Sequence, residues 1–161
     1  MLIRPAAVQD LPAILSVYDQ GRAFMRAHDN QSQWINGYPS QTLLEDDIAR
    51  NQLFVCVEHD KIHGVFAFIL GDDPTYARID DGAWPNDAPY GTIHRIASDG
   101  SCKGILRTAV DFALRHCEHL RCDTHADNYV MQNAMLRLGF GYCGIIYVAD
   151  GSPRKAYQLD K

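Results

Sequence analysis

The stretch GTIHRIASDGSCKGILRTAVDFALRHC, residues 91–117, decides how the rest of the chain is read. It opens as a strand-like run, crosses a loop at residues 98–104, and continues with apolar residues at helical spacing. Ile105, Leu106, Ala109, Val110, Ala113, Leu114 and Cys117 make one broad face, and Arg107, Asp111 and Arg115 the other. Strand, glycine-bearing loop and helix start together can hold phosphate. The first helical N–H groups are unpaired, the dipole end is positive, and glycine lets the backbone come close to the oxygens. Other phosphate-binding proteins use the same recipe, so the ligand must be read from the surroundings.

Composition narrows the classes. The 161 residues fit one domain with a sizeable core, and 47% hydrophobic with 22% charged residues is ordinary for a soluble globular protein. A net charge of −5 argues against broad nucleic-acid binding, which needs a basic footprint. Residues 1–5 lack the apolar core of a signal peptide, and no run is long enough to span a membrane. Five scattered cysteines read as reduced thiols, so a cytoplasmic protein without a membrane partner is expected.

Working outward, residues 2–4 read as a strand ended by Pro5. Asp10 looks like the N-cap of a helix over 11–27, with Pro12 in its first turn. Residues 28–38, HDNQSQWINGY, are polar but carry Trp34 and Tyr38, and Ser40 suits the cap of a helix over about 41–50. Residues 53–58 and 62–70 read as a hairpin. Residues 71–89, GDDPTYARIDDGAWPNDAP, form a loop long enough to be functional or mobile. Beyond the central stretch come a strand at 120–124, a helix at 129–138 ended by Gly139, and strands at 140–148 and 154–159. The order is β-α-α-β-β-β-α-β-α-β-β, a mixed sheet with helices on its faces.

That order, with IRPAAVQDLPAIL (residues 3–15) and LRCDTHADNYVMQNAMLRLGFGYCG (residues 120–144), resembles the GNAT N-acetyltransferase family over nearly the whole chain. The family's Gln/Arg-x-x-Gly-x-Gly/Ala loop falls on Ser101–Leu106, keeping Gly104 and departing at Ser101 and Leu106. QWINGYPS (residues 33–40) and HRIA (residues 94–97) resemble a bacterial subgroup. The resemblance implies one domain over residues 1–161, an α/β (α+β) fold with a mostly antiparallel sheet of about seven strands, and helices on both faces. It implies acetyl-CoA as co-substrate, a primary amine as acceptor, no metal, and an optional homodimer. A non-catalytic acyl-CoA sensor is the alternative, and transfer of a longer acyl group a third reading.

By this resemblance Ile96, Ala97 and Ser98 hold the thioester carbonyl and pantetheine arm through backbone groups. Lys103, Gly104, Ile105, Leu106 and Arg107 face the pyrophosphate, and Asn128 and Asn133 the pantetheine amides; Asn128 is equally a helix cap. A lysine-like amine is neutral in only roughly one molecule in two thousand at pH 7, so a base helps. His94 is that base or holds water, or else is a bonded inner-face histidine. Strand alternation would put it on one face with Ile96, opposite Arg95. Where many members carry a tyrosine acid, this chain has Met135. Tyr142 and Tyr147 are candidate substitutes, or packed strand aromatics, with bulk water a further proton source. Phe24, Trp34, Tyr38 and Tyr90 are candidates for the acceptor side, as a lid or as core. His116, His119, Cys122 and His125 imitate zinc spacing, but 122 and 125 would face opposite sides of a strand. Cys102 reads as an incidental loop cysteine rather than a reactive thiol.

Overall fold

A computed structural model describes all of residues 1–161. The strands are β1 (Leu2–Pro5), β2 (Leu53–Glu58), β3 (Lys61–Leu70), β4 (Gly91–Ser98), β5 (His119–Thr124), β6 (Gly141–Tyr147) and β7 (Pro153–Asp160). The helices are α1 (Leu11–Ala27), α2 (Gln41–Ala49), α3 (Ile105–Ala113) and α4 (Tyr129–Arg137). The expected element order holds, although α3 ends before residue 117. One seven-stranded sheet runs β1-β2-β3-β4-β5-β7-β6. Only β4 and β5 pair in parallel.

Each face of the sheet carries its own core. Phe66, Phe68, Ile93 and Leu120 pack with Ile105, Ala109 and Val110 of α3. Val55, Val65, Ala67 and Ala97 pack with Ile14, Val17, Tyr18 and Leu44 of α1 and α2. Gly64 lets α3 sit close to β3, since a Cβ there would lie 2.6 Å from Ile105 Cγ2. Asp10 does not cap α1 through its side chain. Its carboxylate accepts from the Ala7 amide and from Arg4 instead, tying β1 to the turn before the helix.

Two irregularities shape β4. Ala67 pairs with His94 but Val65 with Ala97, so Phe66 faces both Arg95 and Ile96 across a bulge. Arg95 has φ +53°, in the left-handed region. Alternation therefore breaks, and the expected grouping of His94 with Ile96 is corrected. Ile96 packs with the α3-side core, while Arg95 turns to α2. The second irregularity is the β4–β5 ladder, which contains only Gly91↔Leu120 and Thr92↔Arg121. Beyond these pairs the strands part.

The long loop between β3 and β4 is packed. Tyr76 and Tyr90 form a third core cluster with Ile146 and Ala156, against which Trp84 lies. Asp80 bridges Ile145, and Gly82 comes so close to Cys143 that a Cβ would fall 2.0 Å from its carbonyl oxygen. Arg121 stacks between the Trp84 and Tyr90 rings, 4.0 and 3.9 Å from their centroids. No helix is long and apolar enough to cross a membrane.

Candidate active site

The parting of β4 from β5 opens a cavity of about 650 Å³. Ile93, His94, Arg95 and Ile96 line one wall, and Cys122, Asp123 and Thr124 the other. The segment between α1 and α2 closes one side with Gln33, Trp34, Ile35, Asn36 and Tyr38; Asn128 and Met131 of the α4 region add to the lining, with Asp73 and Thr75 from the long loop and Val148–Asp150 after β6.

His94 stands between two carboxylates. Its Nε2 lies 2.7 Å from Asp73 Oδ2, and its Nδ1 4.0 Å from Asp123 Oδ2. Burial would raise the Asp73 carboxyl, but bonds from His94 and Thr75 outweigh it and bring it to about 2. Asp73 is thus an acceptor, so in the neutral imidazole Nε2 carries the proton and Nδ1 the free lone pair. Tyr76 Oη donates to Asp123 Oδ2 at 2.6 Å. Burial, and then Asp123, raise the Tyr76 phenol far above its usual range, which keeps it a donor. The arrangement can orient an imidazole as a base and hold a cation beside it.

At the far end of β4 the loop is preordered. His63 Nδ1 lies 3.0 Å from Asp99 Oδ2 and 2.8 Å from Ser101 Oγ, which donates to Asp99 Oδ1 at 2.7 Å. Burial would raise the Asp99 carboxyl, but bonds from Ser101 and His63 bring it to about 2. Gly104, at φ +83°, precedes α3 with no side-chain cap. The first N–H groups of α3 are therefore not filled by a side chain, and Lys103 and Arg107 are exposed beside them. These residues fit a pyrophosphate. Ile105 is buried and Leu106 half-buried in the α3-side core, so they have backbone groups to offer rather than side chains.

The other expected residues divide. His94, Ile96, Trp34, Tyr38 and Asn128 come together around the cavity. Asn128 also caps α4, accepting from Met131 N, and donates to Gln33 Oε1. Ala97 is buried in the α1-side core, and Ser98 Oγ accepts from Gly100 N. Tyr142, Tyr147, Asn133, Phe24 and Tyr90 lie outside the lining. Tyr142 is half exposed, with its ring edge-on to Tyr157. Tyr147 Oη donates to Asp80 at 3.0 Å, and Arg78 sits over its ring. Asn133 is exposed on α4, and Phe24 stacks on His28. Tyr90 is no exposed lid aromatic: it is buried, and its hydroxyl accepts from Asp73 N. Met135 is fully buried in the α3-side core. His116, His119 and His125 have separate partners in the Phe112 carbonyl, Asp160 and Asp127, and Cys122 is buried. Cys102 Sγ lies 3.5 Å from Glu58 Oε2.

Sequence reasoning missed Asp73, Tyr76 and Asp123. The Asp-rich composition of residues 71–89 was the available signal for Asp73, but nothing local shows which aspartate reaches His94.

No protein-family model and no curated protein matches the sequence. Solved structures do. An acetyltransferase of the GNAT family from Streptococcus agalactiae superposes with a TM-score of 0.89 at 31% identity, over 99% of this chain and 95% of that one. A solved structure from Staphylococcus aureus Mu50 gives a TM-score of 0.71 at 26% identity, over 99% of both chains. The NatC complex bound to Gag peptide and CoA shares the fold at 15% identity and a TM-score of 0.60, over 99% of this chain and 98% of that one. The seven-stranded sheet, its parted central strands and the first of these likenesses together place the chain: it belongs to the GNAT family of acetyltransferases.

Proposed function

We propose that the protein transfers an acetyl group from acetyl-CoA directly to a primary amine. The observation that carries this reading is the Asp73–His94 pair set at the open seam between β4 and β5, beside the Asp123 carboxylate. The uncapped start of α3, with Lys103 and Arg107, supports a pyrophosphate at one end of that seam. The seam itself supports an extended pantetheine arm, and Ile96 at the bulge offers an amide to the thioester carbonyl.

The acceptor arrives as an ammonium and is held by Asp123. One nitrogen placed about 2.8 Å from both Asp123 Oδ2 and His94 Nδ1 spans their 4.0 Å separation with an angle of roughly 90°. His94 Nδ1 takes a proton, and Asp73 stabilises the imidazolium through Nε2. The amine nitrogen attacks the carbonyl carbon, the C–N bond forms, and the C–S bond breaks. As the tetrahedral intermediate collapses, the nitrogen's remaining surplus proton passes through water to the leaving thiolate, whose thiol pKa is about 8.5, and the proton on His94 returns to solvent. The acceptor side of the cavity is drawn from the two segments that carry the subgroup resemblance, through Gln33–Asn36, Tyr38 and Ser40 of one and His94–Ile96 of the other.

A thermal-shift series with CoA, acetyl-CoA and longer acyl-CoAs, followed by thiol release with an amine panel, tests the reading. Stabilisation by acetyl-CoA and amine-dependent thiol release are expected. Stabilisation without release would favour the sensor, and no stabilisation at millimolar ligand would overturn acyl-CoA binding altogether.

A further inference from the structure

The peptide unit joining Arg95 to Ile96 is gripped from α1 and α2. Tyr18, fully buried on α1, donates its hydroxyl to the Arg95 carbonyl at 2.8 Å. The Arg95 guanidinium meets Asp47 of α2 through Nε and Nη2, both at 3.0 Å, with only 10% and 4% of the two side chains exposed. Between these anchors Arg95 holds φ +53°, which is uncommon for a non-glycine residue and most of all within a strand. A bonded phenol and a two-toothed buried ion pair hold it there.

Geometry gives the grip a direction. In a trans peptide the carbonyl and the following N–H point opposite ways. Drawing the Arg95 carbonyl toward Tyr18 therefore turns the Ile96 N–H away from α1. The bulge sets two β4 residues against Phe66 alone, so this part of the strand has backbone groups to spare from the ladder. A hydrogen bond to the carbonyl also polarises the peptide and strengthens its N–H as a donor.

We propose that Tyr18 and Asp47 are positioning residues for acyl transfer, locking the Arg95–Ile96 peptide so that the Ile96 amide meets the thioester carbonyl. This rests on the acetyl-transfer reading above. Neither residue touches substrate; each acts through Arg95.

The test compares Tyr18→Phe, Asp47→Asn, Arg95→Gly and Arg95→Ala with the wild type by steady-state kinetics and amide hydrogen exchange. Tyr18→Phe should lower kcat about 10- to 100-fold with the KM for acetyl-CoA unchanged. Asp47→Asn should act in the same direction. Exchange should quicken within residues 93–98 in both variants and stay as in the wild type elsewhere. Glycine adopts the left-handed conformation without strain, so Arg95→Gly should retain more turnover than Arg95→Ala. Wild-type kcat in Tyr18→Phe, unchanged exchange at 93–98, or Arg95→Ala matching Arg95→Gly would overturn the proposal while leaving acetyl transfer intact. A wild-type protein without turnover would instead overturn the reading on which it rests.

Discussion

His94 on β4 and Asp73 on the preceding loop share a 2.7 Å hydrogen bond across 21 residues of sequence. The bond fixes which imidazole nitrogen is free, and it makes a long loop part of the site. Replacing His94 by alanine should lower kcat/KM for an amine acceptor by about 10²-fold or more. Asp73→Asn, which keeps the shape and removes the charge, should lose less, with most of the loss in kcat. Steady-state kinetics on the two variants check this, and wild-type rates in His94→Ala would remove it as the base.

Acid stability should report the same carboxylate. Asp73 and Asp99 both sit at about 2 in the folded protein, below the roughly 3.9 of an unfolded aspartate. A depressed carboxylate stabilises the fold above its unfolded value and loses that contribution as pH falls toward its folded one. Stability should therefore drop between about pH 4 and pH 2, and less steeply in Asp73→Asn and Asp99→Asn. Urea unfolding across that range measures it; equal slopes in all three proteins would contradict it.

The His63–Asp99–Ser101 cluster should act on the cofactor end alone. Losing one such hydrogen bond costs about 1 kcal/mol, so His63→Ala should weaken CoA binding about fivefold. Its kcat should hold. Calorimetric titration with CoA checks the first expectation and saturating kinetics the second.

The expected fold was accurate where local signals agree. The α3 and α4 faces, the hairpin at residues 53–70 and the glycine after α4 carry periodicity or turn chemistry that tertiary contacts reinforce. His94, Trp34 and Tyr38 were visible as unusual side chains on a strand or in a polar segment. Asp73, Asp123 and the Tyr18–Arg95–Asp47 grip were not. Each depends on contacts between segments far apart in the chain, and the bulge that reverses the faces of Arg95 and Ile96 leaves no mark in the hydrophobic pattern. Asp10 shows the same limit, since a cap-like residue was taken instead by Arg4 and the Ala7 amide.

Gly82 ties loop packing to activity. A methyl at that position would lie 2.0 Å from the Cys143 carbonyl oxygen, so Gly82→Ala must push the loop off β6. Overpacking of this kind costs about 1–3 kcal/mol. Because the same loop carries Asp73 and Tyr76, kcat should fall together with thermal stability. Undiminished kcat with lowered stability would show that the loop's seat on β6 does not set the Asp73–His94 contact.

The most direct test of acetyl transfer at the parted strands is to incubate the protein with acetyl-CoA and a panel of primary amines, following free thiol and acetylated amine together. Both products should form in equal amounts, dependent on amine, and be nearly abolished in His94→Ala. Thiol release without acetylated amine, or equal product from His94→Ala, would contradict it.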